Sequence, residues 1–261
     1  MSEGPGLARI DEATAPLVGT WASIPDPSAV ELLAGLGYDF LAVDQEHSPM
    51  SYETIGNLLR AVDAAPGETE SLVRVADGDP TTLKRTLDLG PSAVLVPMVE
   101  TAEQAAEVVE ACRYPPAGRR GLGVARASDY GRSLAEHVET ADDAVVRYVQ
   151  IETERAVENA AEIAAVPGVD GVFVGPVDLS MSMGRFGEWD DEEFVDAVGH
   201  VVDAARDAGV AVGTLATSAE EREARLAWDV DYLVAGVDVV HLAESAAAAL
   251  EHSRAVTDGE E

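Results

Sequence analysis

Four short stretches of this 261-residue chain carry side chains suited to chemistry. In Asp44-Gln45-Glu46-His47, a carboxylate three residues ahead of a histidine can accept one imidazole N–H, fix the tautomer and raise the basicity of the other nitrogen. Arg74 sits inside the apolar run Leu72-Val73-Arg74-Val75, a costly place for a guanidinium unless an anion meets it. Gln150-Ile151-Glu152 spaces two polar side chains by two residues, which puts both on one face of a strand. Gly175-Pro176-Val177-Asp178 places a carboxylate directly after another apolar run. Two converging carboxylates without Cys or His beside them suit a hard divalent cation, Mg²⁺ or Mn²⁺, rather than structural zinc. Taken singly, each has a plainer reading: Glu152 and Asp178 as helix caps, Arg74 as a structural ion-pair partner, His47 as a loop residue.

What brings them together is the order of elements. Short β-branched runs at 17–22, 40–43, 71–75, 93–97, 145–151, 171–174, 210–215 and 232–235 read as strands. Each is followed by a segment of helical period, at 27–36, 52–64, 80–89, 102–112, 153–165, 191–208, 219–228 and 239–250. Several strands are apolar without alternation, as strands covered on both faces must be. Asp26-Pro27 and Asp79-Pro80 each set a capping residue before a first-turn proline, and Gly90 and Gly209 suit helix stops. Eight such units predict a single (β/α)8 barrel over residues 1–261, with frayed ends at about 1–8 and 256–261. A doubly wound sheet is the alternative, but no Gly-x-Gly-x-x-Gly follows Trp21. In a barrel the reactive residues belong at the carboxyl ends of the strands, where all four stretches fall. Strands five and six are then neighbours, so Glu152 and Asp178 can approach each other. The Arg-rich stretch 113–138 exceeds a plain connection and reads as a functional loop plus a short helix.

Composition removes several classes. With 49 Asp and Glu against 17 Lys and Arg the net charge is −32, which disfavours nucleic acid and anionic membranes as partners. Of those basic residues 16 are Arg, and the one lysine, Lys84, lies in an amphipathic stretch rather than on a strand; a lysine Schiff base is not supported. Cys112 alone gives no disulfide framework and reads as a packed thiol. No signal peptide or membrane span is expected, which points to the cytoplasm. His137, His200, His241 and His252 fall on helices or the tail. Ser48, Ser180 and Ser182 lack the Gly-x-Ser-x-Gly elbow of serine hydrolases.

The run of motifs from about 17 to 250 resembles the HpcH/HpaI aldolases, metal-dependent enzymes acting on 4-hydroxy-2-oxoacids or 2-keto-3-deoxy acids. The likeness is carried by Gly19-Thr20-Trp21, Phe40–His47, Leu72–Val75, Val94–Ala105, Arg113–Gly121, Gln150–Thr153 and Gly171–Ser180. The resemblance implies a homo-oligomeric barrel, a hexamer with helix exchange, that releases pyruvate and an aldehyde from its oxoacid substrate. It implies Glu152 and Asp178 as ligands of a divalent metal (Mg²⁺, Mn²⁺ or Co²⁺) that stabilises the pyruvate enolate as a Lewis acid. Arg74 would bind the pyruvate end, with Gln150, Pro176, Val177 and Asp178 lining the substrate, and Asp44 with His47 would form the acid–base dyad. Gln45 stands where the family usually has Gly, and 121–126 is shorter than the usual loop, which bears on aldehyde specificity. An acyl-CoA lyase of the citrate lyase β-subunit or malyl-CoA type is the enzymatic alternative, short of basic residues for a nucleotide; a non-catalytic oligomeric binding protein is the other. The acidic surface and the Arg-over-Lys bias suggest adaptation to concentrated salt.

Overall fold

The eight apolar runs close on themselves. In the computed structural model, which describes Leu7, Ile10 and residues 13–258, the strands are β1 (Leu17–Ala22), β2 (Phe40–Asp44), β3 (Glu70–Arg74), β4 (Ala93–Val96), β5 (Val146–Ile151), β6 (Gly171–Val174), β7 (Ala211–Leu215) and β8 (Tyr232–Val237). Each is parallel to the next, and β8 pairs with β1 to complete the barrel. This is the expected (β/α)8 fold.

The helices are α1 (Pro27–Ala34), α2 (Tyr52–Ala64), α3 (Pro80–Leu87), α4 (Ala102–Cys112), α5 (Leu134–Ala144), α6 (Glu154–Glu158), α7 (Ala160–Ala164), α8 (Pro176–Ser182), α9 (Glu192–Ala208), α10 (Ala219–Leu226) and α11 (Asp238–Asp258). The capping signals hold: Asp26 and Asp79 accept from Ser28 N and Thr81 N, each just ahead of a proline. Sequence reading differs in four places. The helix expected over 153–165 is divided at Asn159, whose side chain donates to Glu100 O at 2.8 Å. The short α8 after β6 was not foreseen. The Arg-rich stretch forms a 3-10 turn at Arg126–Gly131 and leads into α5; Arg120 and Arg126 bind Asp88 and Leu89 O, just ahead of β4, so within this chain it lies at the amino end of the barrel. Of the ends expected to fray, 256–258 continue α11 and most of the rest lies outside the described residues.

Strand alternation sorts the two cores. Outward side chains such as Val43, Val73 and Val149 pack under the helices, while Phe40, Leu72, Leu95, Tyr148, Phe173 and Tyr232 fill the barrel. Tyr148 and Tyr232 stack at 4.8 Å and Phe40 meets Tyr232 edge-on. Gly19 and Gly213 leave room for these rings: a Cβ at either would lie within 2.5 Å of Phe40 or Tyr232 carbons. Each buried ring contributes about 1.5–3 kcal/mol by leaving water. The inward parity continues upward from Ala42 to Asp44, from Leu72 to Arg74 and from Tyr148 to Gln150, so polar side chains replace apolar ones at the carboxyl rim.

α11 departs from the pattern. Beyond its first turn it is exposed, with Leu242 and Leu250 more than half open to solvent. Val18, an outward residue of β1, is 37 % exposed, and Leu32 on α1 and Leu226 on α10, the helices bordering the gap, are exposed too. Lys84 lies half-buried in the last turn of α3. No described helix is long and apolar enough to cross a membrane.

Candidate active site at the carboxyl end of the barrel

Asp44 and Arg74 are the last residues of β2 and β3 and are direct register partners. Gln150 lies near the end of β5, Glu152 one residue beyond it, and Asp178 in the first turn of α8. A cavity of about 180 Å³ opens between them, lined by Asp44, Arg74, Gln150, Pro176, Val177 and Asp178. Trp21 and Phe173 form its apolar wall. Larger hollows exist: one of about 460 Å³ beside Arg147 and Asp170 lies at the other end of the barrel, its arginine neutralised by its acid, and one of about 320 Å³ between the loops after β3 and β4 contains no basic side chain.

Arg74 is buried yet well held. Its Nε donates to Asp44 Oδ1 at 2.9 Å, and Glu46 Oε2 lies 2.9 Å from Nη1, off the hydrogen-bonding direction. Its guanidinium carbon sits 4.6 Å from the centre of the Trp21 ring, a stacking worth about 2 kcal/mol where water is excluded. No hydrogen bond engages Nη2 among the described residues, so one arm of the fork remains for a ligand.

Asp44 does not orient the His47 ring as the spacing suggested. Its oxygens take Arg74, the backbone N–H of Glu46 at 3.0 Å and of His47 at 3.4 Å, and the Ser48 hydroxyl. The carboxylate beside the imidazole is Glu46, with Oε2 3.8 Å from Nε2. An aspartate three residues back bends round to cap the turn, whereas Glu46 is longer and lies alongside. His47 is 67 % exposed at the mouth, free to reach a substrate hydroxyl. Burial pushes the Glu46 carboxyl up from its ordinary range, an effect Arg74 partly offsets.

Glu152 is buried between two donors: Met98 N–H reaches Oε1 at 2.7 Å, and the Gln150 amide donates to Oε2. Gly175 makes this possible, since a Cβ there would meet Gln150 Nε2 at 2.8 Å and Glu152 Oε2 at 3.1 Å. Burial raises the Glu152 carboxyl to about 7 despite the Met98 N–H, with Glu46 and Asp178 adding repulsion. Glu46 Oε2 and Gln150 Oε1 are buried acceptors without a hydrogen-bond donor. A surplus of oxygen acceptors and negative charge is what a hard cation relieves, so the donor set fits one. Among the described residues no cage of three His, Cys, Asp or Glu exists; two carboxylates leave coordination positions for substrate, the usual manner of Mg²⁺.

All the residues singled out in the sequence thus meet at this rim, with His47 at its edge and Glu152 beneath Gly175. Three contributors were missed. Trp21 belonged to a recognised motif but had no assigned role, Met98 acts through its backbone, and Ser23 lines the cavity without a sequence signal.

Known proteins match the chain over most of its length. The family model described as HpcH/HpaI aldolase/citrate lyase matches residues 17–245. A hydroxypyruvate/pyruvate aldolase of Delftia acidovorans is 43 % identical over 242 residues, 92 % of this chain and 89 % of its own length. A 4-hydroxy-2-oxo-heptane-1,7-dioate aldolase of Escherichia coli is 39 % identical over 239 residues, 91 % and 90 % of the two chains. The crystal structure of an HpcH/HpaI aldolase/citrate lyase family protein from Burkholderia cenocepacia superposes with a TM-score of 0.90 at 37 % identity, over 95 % of this chain and 98 % of that one.

Proposed function

The chain belongs to the HpcH/HpaI aldolase/citrate lyase family, and we propose that it is a divalent-metal-dependent aldolase that cleaves 4-hydroxy-2-oxoacids or 2-keto-3-deoxy acids to pyruvate and an aldehyde. The observation that carries the reading is that Arg74, with one free arm, and Asp178 line one cavity, while Glu152 lies buried behind Gly175 in its wall, close enough to Asp178 to feel its charge. Glu152 and Asp178 would hold the metal, Mg²⁺, Mn²⁺ or Co²⁺, which supplies Lewis-acid polarisation of the oxoacid. Arg74 Nη2 binds the pyruvate carboxylate by a charge-assisted hydrogen bond. Trp21 and Phe173 keep water from that pair, and Gln150, Pro176 and Val177 bound the space for the 2-oxo end. The His47 imidazole takes the proton of the C4 hydroxyl as the C3–C4 bond breaks and its electron pair passes to C3, leaving the aldehyde and the pyruvate enolate. Glu46 stabilises the imidazolium, which returns the proton to C3 to give pyruvate, and such general acid–base steps give about 10²–10⁴-fold. Asp44 keeps Arg74 and the His47 turn in place.

The exposed face of α11 and the uncovered gap between α10 and α1 support a homo-oligomer, taken as a hexamer, in which the terminal helix of one copy packs on another. The compartment is read as the cytoplasm, where a lone buried thiol such as Cys112 stays reduced. Three acids are buried among the described residues and most of the others are exposed or half-exposed, which supports a reading of adaptation to concentrated salt.

The test is a retro-aldol screen over 4-hydroxy-2-oxo and 2-keto-3-deoxy acids, with pyruvate read through lactate dehydrogenase. Pyruvate should appear with Mg²⁺, Mn²⁺ or Co²⁺ and vanish in EDTA. Release of acetyl-CoA or glyoxylate from malyl-CoA, without pyruvate from any oxoacid, would reject it.

A further inference from the structure

Three acidic side chains are buried among the described residues: Asp44, Glu152 and Asp238. The first two belong to the site above. Asp238 opens α11, and its carboxylate accepts the N–H of Ser23 at 3.0 Å, of Ile24 at 2.8 Å and of its neighbour Val239 at 2.7 Å. Hydrogen bonds to an ionised acceptor are strong ones, and two of these tie the turn after β1 to the start of the terminal helix. No ion pair engages Asp238 among the described residues, so its charge is met by backbone dipoles.

The joint around it is constructed. Between Val234 and Val237 β8 carries one extra residue relative to β1, a bulge that bends the strand as it leaves the barrel. Gly236 lies in that bulge at φ 133°, and a Cβ there would stand 2.3 Å from His241 Cε1. The first turn of α11 is thereby pressed against the end of β8. Both sides of the joint reach the cavity, since Ser23 and Val237 line it. Two residues before Ser23 comes Trp21, the ring that stacks on Arg74.

We propose that Asp238 is a positioning residue for substrate binding: by holding the Ser23–Ile24 turn it sets Trp21 against Arg74, and through Arg74 the grip on the oxoacid carboxylate. This rests on the reading of Arg74 as the oxoacid anchor. Because α11 starts on the same carboxylate, a neighbouring subunit that holds α11 also fixes this wall of the cavity.

The experiment follows exchange of the pyruvate methyl protons into D₂O by the Mg²⁺-loaded full chain. Asp238→Ala should raise the KM for pyruvate about tenfold and Asp238→Asn, which keeps one acceptor oxygen, about threefold, with kcat changed less than about twofold. Mg²⁺ affinity, set by Glu152 and Asp178 across the barrel, should be unchanged. Asp39→Ala is the matched control: Asp39 accepts Val18 N–H at 2.7 Å at the opposite end of β1, and its loss should leave KM as in wild type. Should Asp238→Ala fail to fold, Asp238→Asn decides. A wild-type KM in the folded Asp238 variants, or an equal rise in Asp39→Ala, overturns the proposal. A wild-type KM in Arg74→Ala would instead remove the reading of Arg74, a separate result.

Discussion

Met98 holds its backbone at φ 56° and donates its N–H to Glu152 Oε1 at 2.7 Å. A non-glycine residue in that region costs about 1–3 kcal/mol and persists where the surroundings demand it. Met98→Gly should therefore keep metal affinity within about twofold and melt no lower than wild type. Met98→Val, whose β-branch resists this conformation, should weaken Mn²⁺ binding about 10–100-fold, the range seen when a ligand loses its orienting partner. Calorimetric titration with Mn²⁺ decides, and tighter binding by Val than by Gly would refute the role.

Glu152→Gln should abolish metal binding while stabilising the metal-free protein. The Glu152 carboxyl is raised to about 7 by burial, so the folded chain holds a proton that the unfolded chain, near 4.5, releases. Stability of the metal-free wild type therefore falls, relative to Glu152→Gln, as pH rises from about 4.5 to about 7 and levels off above. Melting curves in EDTA across that window test the sign.

Arg74→Ala should raise the KM for pyruvate and also cost about 3–5 kcal/mol, because Asp44 and Glu46 lose their counter-charge in a buried setting. Arg74→Lys keeps the charge without the fork and should fall between the two. Urea denaturation and steady-state exchange of pyruvate protons separate the effects.

Cys112 should be inert in the folded protein. Burial pushes its thiol up to about 12, and the thiolate is the reactive form. Iodoacetamide at pH 8 should modify the guanidinium-unfolded chain and spare the native one, as mass spectrometry would read.

Both activity and melting temperature should rise between dilute buffer and about 3 M KCl, where the screening length falls below about 3 Å. Best performance at low salt would count against adaptation to brine.

The fold was legible because each strand–helix unit carries its own local signals, apolar runs and Asp-Pro caps. The rim residues were legible because strand ends are predictable from those runs. What escaped depends on long-range closure. Nothing local says that Asp44 will turn to Arg74 rather than to the His47 ring, a choice set by the register of β2 on β3. Met98 acts through a dihedral angle, and Asp238 through bonds to residues 214 and 215 positions away; as a residue, Asp238 reads only as a helix cap. The site of α11 is illegible for a different reason, since its packing face awaits another surface.

Lys84, half-buried on the outer layer in α3, is the chain's single side-chain amine. An enzyme that liberates aldehydes is exposed to them at high local concentration, and primary amines are where carbonyl adducts form. Here such adducts have one lysine to attack, far in sequence from every rim residue except Arg74 and across a helix from the barrel interior. The same scarcity gives the experimenter few attachment points: amine-reactive dyes or supports should find, among side chains, Lys84 alone, with the α-amino group, which is less basic than a lysine, as the other target.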